Sequence, residues 1–166
     1  MFKLSVLVVI SLLFVGCGSQ TKPKVHSTLF QTVNLKDAIL VQSGKDKRYC
    51  AMCGMDLVKY YKTSHMATYK GKKYQYCSIH CLEDHLGEGI SLKNPKVVDV
   101  NSLKFIPVNE AYYVVGSSKR ATMSKVSKYA FSTLKMAKKF QAKYGGKIMN
   151  FTKAREKAME DFKYYR

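Results

Sequence analysis

Apolar and polar positions along the chain divide it into a leader, a tether and a series of short elements. Leu4 to Val15 is an almost unbroken apolar run behind the short positive start Met1-Phe2-Lys3. Its length suits a secretory leader and falls short of the ~20 apolar residues a membrane-spanning helix needs. Gly18 to Lys24 is polar and reads as a tether, while Asn34 to Val41 is mixed and predicts a strand or one helical turn. Gln42 to Arg48 is a loop. Asp56 to Tyr61 and Met66 to Tyr69 read as strands, Lys70 to Lys73 as a turn, and Tyr74 to Tyr76 as a further strand. A glycine-containing turn between β-prone runs predicts a hairpin. Cys77 to Leu86 reads as a helix that Ser78 is placed to cap and that Gly87 and Gly89 end, with His80 and His85 as exposed helix residues.

The second half repeats the alternation of strands and helices. Val97 to Val100, Lys104 to Val108 and Ala111 to Val115 read as strands, with Gly116 to Arg120 as a loop. Ser127 to Tyr144 predicts one amphipathic helix, because Phe131, Leu134, Ala137, Phe140 and Tyr144 recur near helical spacing. Gly145-Gly146 stops it, Lys147 to Phe151 forms a short strand, and Thr152 to Phe162 a charged final helix. Both halves pair strands with a helix, which permits two similar modules.

Chemistry enters with the cysteines. Cys50-Ala-Met-Cys53-Gly-Met55 and Cys77-Ser-Ile-His-Cys81 place a C-x2-C and a C-x3-C pair on either side of the predicted hairpin. Knuckle, hairpin and helix together give the layout of a treble-clef-like metal site. Thiolates and thioethers are soft donors that suit Cu(I), zinc or iron–sulfur clusters better than hard cations. A helix N-terminus also favours the thiolate form. Cys77 and Cys81, four apart, share a helix face. Met55 follows the knuckle glycine, and its thioether suits Cu(I), although methionine also fills cores. Met52 points the other way if this segment is extended. His65 and Met66 lie on a strand near the site, where a lone histidine is more often structural. Disulfide pairing of the four thiols is the alternative in an exported chain. Against it, the 166-residue chain is well above the size, about 80 residues, below which domains need cross-links to fold. No nucleophile–base–oxyanion constellation is visible, so the chain reads as a non-enzyme.

Composition then narrows the partners. The formal charge of +18 would suggest nucleic acid in a cytosolic protein, but behind a secretory leader none is expected. Anionic headgroups or an acidic partner remain. No lysine run is dense enough to form a dedicated patch, and the charge reads as general surface charge.

Two resemblances carry the functional expectation. Phe14-Val-Gly-Cys17 resembles the lipobox of bacterial lipoproteins, which implies lipidation at Cys17, removal of residues 1–16 and a tether over 17–33. The Cys50–Met55 motif with Tyr69-x-Gly-x-x-Tyr74 and Tyr76-Cys-Ser-x-x-Cys81 is similar to YHS and TRASH metal-binding modules. Ala111-Tyr-Tyr-Val-Val-Gly-Ser117, Met123, Phe131, Ala137, Phe140 and Gly145-Gly146 follow the pattern of the NosL family. Where that pattern has Gly-Pro-Met-Gly, this chain has Ala121-Thr-Met123-Ser124, so Met123 as a metal contact rests on resemblance alone.

The resemblance implies an α+β fold of two small strand–helix modules, residues 34–92 and 93–166, the first treble-clef-like around the cysteine metal site. It implies a metal site of Cys50, Cys53, Met55, Cys77 and Cys81, with Met52, His65, Met66 and Met123 as further candidates. It also implies a lipoprotein at the cell envelope, facing the periplasm, that binds Cu(I). The expected partner is apo nitrous oxide reductase or its assembly machinery. The competing expectation is a zinc- or disulfide-stabilised structural lipoprotein that transfers no metal.

Overall fold

The computed structural model describes residues 29–162. The expected leader, Cys17 and most of the tether lie outside the described residues. The elements are β1 (His65–Tyr69), β2 (Lys72–Tyr76), α1 (Ile79–Gly87), β3 (Lys93–Val98), β4 (Phe105–Pro107), β5 (Tyr112–Val115), β6 (Lys128–Phe131), α2 (Leu134–Tyr144), β7 (Lys147–Met149) and α3 (Phe151–Phe162). Single 3-10 turns cover Leu35–Asp37, Tyr61–Thr63 and Val108–Glu110. The strands form two antiparallel sheets, ordered β2-β1-β3-β4 and β6-β5-β7, so the fold is α+β. β3 opens just past the expected module boundary and pairs back onto β1, with His65 opposite Val97.

Local chemistry explains the elements. Lys70 and Gly71 both take left-handed φ, +46° and +77°, the backbone of a two-residue hairpin turn whose twist suits the flanking strands. The turn is therefore shorter than expected, and β2 resumes at Lys72. Asp56 to Tyr61 is not a strand: the Asp56 carboxylate accepts the Val58 and Lys59 amides at 2.8 and 3.2 Å. That Asx geometry turns the chain and leaves only a single Tyr49–Asp56 bridge. β3 starts earlier than expected because Asn94 and Pro95 are taken up in an irregularity opposite Ala67. A bulge is one of the few strand positions that tolerates a proline.

The expected helix over Ser127 to Tyr144 is instead a strand followed by a helix. Lys128 to Phe131 are all buried and pair with β5, Tyr129 opposite Val114. The helix begins only after Thr133, whose hydroxyl accepts the Met136 amide at 3.3 Å. Phe131 sat in register with the helical stripe by coincidence, and tertiary burial decided the strand.

One core joins the two sheets. Ile79 and Val97 from the first unit pack with Tyr113, Val115, Ala130, Ala154 and Ala158 from the second. Ala154 and Ala158, four apart and fully buried, let α3 approach closely. Phe151 at the start of α3 touches both this cluster and the one around the cysteines. Asp99 supplies a polar seam: it accepts from the Asn101 and Ser102 amides on its own turn and from the Ser132 amide and hydroxyl across the sheets.

Candidate metal centre

The knuckle is a tight turn held at both ends. The Cys50 amide donates to the Met55 carbonyl at 2.8 Å and the Gly54 amide to the Cys50 carbonyl at 3.0 Å. Gly54 has φ +73°, a backbone that only glycine adopts at no steric cost. Arg48 and Asp56 close the base of the turn as an ion pair at 2.9 Å. The Ala51 amide donates to the Gln75 carbonyl, which pins the knuckle beside β2. Gln42 and Gln75 reinforce this seam: the Gln75 side chain accepts from the Val41 amide, and Gln42 accepts from the Gln75 amide while donating to Tyr49.

β2 then delivers Cys77 at its end, and the first turn of α1 delivers Cys81. Ser78 occupies the N-cap position without a side-chain capping bond, contrary to the capping role expected of it. The result is that all four Sγ atoms lie within 4.8 Å of one another. Cys53 to Cys77 is 3.6 Å and Cys77 to Cys81 is 3.7 Å. Four sulfurs bound tetrahedrally at about 2.3 Å from one ion would stand about 3.8 Å apart. All four cysteines are free; Cys50, Cys77 and Cys81 are buried and Cys53 is exposed.

The thiols perturb one another strongly. Cys50 is drawn far below the usual thiol range by hydrogen bonds from Cys53, then from Cys77 and Cys81. Cys53 is pushed up by Cys50, but hydrogen bonds from Cys77 and Cys81 outweigh this and lower it. Cys77 and Cys81 are raised, because they act as donors toward Cys50 and Cys53 and lie buried. A bound cation would take the place of the protons that these sulfurs share.

The other candidate residues divide. Met55 Sδ lies 3.9 Å from Cys77 Sγ, and Met52 packs against the same cluster. His65 is engaged elsewhere: its ring nitrogens meet the Thr63 carbonyl at 3.0 Å and the Tyr113 hydroxyl at 3.1 Å. Met66 is buried on the face of β1 opposite Ala67, the residue that packs on the cysteines. Met123 is exposed, with φ +62°. Its neighbour Thr122 moors the loop: the Thr63 hydroxyl donates to the Cys77 carbonyl at 2.8 Å and stands 2.9 Å from the Thr122 hydroxyl.

His80 and His85 are buried, not exposed as the helical pattern suggested. His85 sits among the rings of Tyr69, Tyr74 and Tyr76, with the Tyr76 hydroxyl at 2.7 Å. His80 meets Asp161 at 3.0 Å. Both became buried because α3 and the tyrosines of the hairpin cover α1, which periodicity within α1 alone does not reveal. The Gln42–Gln75 seam and the Thr63–Thr122 link had no signature in the sequence beyond polar residues inside β-prone runs. An open groove of about 550 Å³, lined among others by Asp46, Tyr49, Cys50 and Tyr74, runs beside the knuckle.

Similar proteins place this geometry in context. The crystal structure of the copper chaperone NosL from Shewanella denitrificans matches with a TM-score of 0.54 at 26% identity. The match covers 67% of this chain and 92% of that one. No curated protein matches the sequence. The NosL family model matches residues 41–159, from just before the knuckle almost to the end of α3, and the chain therefore belongs to the NosL family.

Proposed function

We propose that this protein is a copper metallochaperone that carries Cu(I) on its thiol cluster and releases it to an acceptor by ligand exchange. One observation carries the reading: four sulfurs within 4.8 Å of one another, one of them exposed. Soft sulfur donors match Cu(I), Met55 adds a thioether 3.9 Å from Cys77, and the solved relative is a copper chaperone. In this reading an acceptor ligand first displaces Cys53, the sulfur that solvent reaches, and the three buried cysteines then give up the ion. The family resemblance makes apo nitrous oxide reductase, or its assembly machinery, the proposed acceptor. Lipidation at Cys17 would hold the protein at the envelope, facing the periplasm. Anaerobic titration of the reduced protein with Cu(I) against a competing chelator tests the core of this. Affinity no greater than that of the variant with Cys50, Cys53, Cys77 and Cys81 all changed to Ser would sink it.

A second reading keeps a specific observation. Sulfur separations of 3.6 and 3.7 Å also suit a closed four-thiolate zinc site, which would stabilise the fold and transfer nothing. Zinc in the purified protein, unfolding on chelation and no transfer to an acceptor would favour it over copper delivery.

A further inference from the structure

Four lysines from three separate segments of the chain converge around one groove. Lys62 lies in the 3-10 turn before β1, Lys119 in the loop after β5, and Lys139 and Lys143 on α2. Phe30, Phe131, Phe140 and Tyr144 line the groove between them, whose volume is about 310 Å³. The ammonium of Lys62 stands 4.5 Å from the Phe30 ring centre, and that of Lys119 4.3 Å from the centre of Tyr144. None of the four takes part in a salt bridge among the described residues. Burial, and then the charge of Lys119, hold the Lys62 ammonium below its ordinary value. The dispersed charge of the sequence is therefore a defined patch in space, with an apolar aromatic floor.

We propose that this face binds anionic phospholipid headgroups and so lays the folded domain against the membrane. Lysines near an anionic surface attract phosphate, and aromatic rings sit favourably at the headgroup level. Where the chain enters the fold selects a lipid over an acidic protein. Phe30 lines the groove, and only residues 18–29 separate it from Cys17. Twelve residues reach at most about 43 Å in any conformation, and these include Lys22 and Lys24. The choice of occupant rests on the reading of Cys17 as the lipid anchor; the chemistry of the face does not.

The test uses the chain from Gly18 onward, which retains every described element but has no anchor, sedimented with vesicles of phosphatidylcholine with or without phosphatidylglycerol. Binding is expected only with phosphatidylglycerol, weakening as salt rises. Changing Lys62, Lys119, Lys139 and Lys143 to Gln should lower vesicle affinity by roughly 10²-fold or more. The same change at Lys45, Lys47, Lys93 and Lys104 should have a far smaller effect. Equal losses from the two sets, or no binding to phosphatidylglycerol, would overturn the proposal. So would a preference for soluble polyglutamate over vesicles, which would point to an acidic protein partner. Circular dichroism and a thermal melt of each variant check the fold, and Cu(I) titration is run alongside. Lost lipid binding in a wild-type chain that still binds copper counts against this proposal alone; lost copper binding counts against the proposed function alone.

Discussion

Three buried thiols and one exposed thiol make the cysteines unequal in what they do for the fold. Cys77 and Cys81 have no exposed surface, so a serine there puts a hydroxyl into sulfur-lined space that offers poor hydrogen-bond partners. Cys77→Ser and Cys81→Ser should each lower the stability of the metal-free protein by about 1–3 kcal/mol. Cys53→Ser should cost little, and denaturant midpoints in chelator check the order. His65 gives a second residue-scale expectation. It is fully buried, and loss of hydration lowers its pKa to about 3 from an unfolded value near 6.5. Its neutral form therefore supports the fold fully above pH 6.5. As pH falls below 6.5, the unfolded chain takes up a proton that the folded one refuses, so stability declines until about pH 3. His80, lowered to about 4 by burial and by Lys128, adds to the decline with the same sign. His65→Gln should flatten the slope of stability against pH between 6.5 and 5, even though losing the Tyr113 contact weakens it at neutral pH. An unchanged slope would contradict the assignment.

Elements were legible where their punctuation was local and hidden where packing decided. The hairpin, α1 and the strand at Tyr112–Val115 followed from glycine placement and β-prone runs in the sequence, because those signals act within a few residues. Lys128–Phe131 did not, since what makes it a strand is β5 alongside it, and a Phe at helical spacing concealed this. The cysteine spacing gave away the cluster, whereas the seam of Gln42 and Gln75 depends on distant backbone groups that no spacing encodes. Gly145 and Gly146 show the same divide within one dipeptide. Both have positive φ, yet a Cβ on Gly145 would meet nothing within 4 Å, while one on Gly146 would stand 2.7 Å from the Val115 carbonyl oxygen. Gly145→Ala should cost about 1–3 kcal/mol, because φ +72° with ψ −164° is a backbone region that essentially only glycine populates. Gly146→Ala should cost distinctly more, because β5 or β7 must shift. Thermal melts of the two variants make the comparison, and equal melting temperatures would refute it.

At the scale of the molecule, α3 clamps the helix that bears Cys81. Arg155 donates to both oxygens of Glu83, at 2.6 and 3.0 Å, and the Glu83 side chain is only 4% exposed. Removing Arg155 alone strands a buried carboxylate, whereas removing both charges does not. Arg155→Met should therefore destabilise by about 2 kcal/mol, and adding Glu83→Gln should recover part of that loss. A double variant weaker than the single would show that the pair does not act this way. The whole thiol cluster lies between residues 50 and 81, within the knuckle, the hairpin and α1, while contacts that tie it to the second half span more of the chain, 48 positions for His65–Tyr113 and 72 for Glu83–Arg155. Contacts made through a local hairpin form sooner than contacts that wait for two sheets to meet. The consequence is one of timing. During folding the sulfurs should gather before the second sheet docks, which would enclose the deeper thiols early, before oxidants reach them. Pulsed alkylation during refolding should find Cys77 and Cys81 protected before pulsed hydrogen exchange finds the β5 and β6 amides protected.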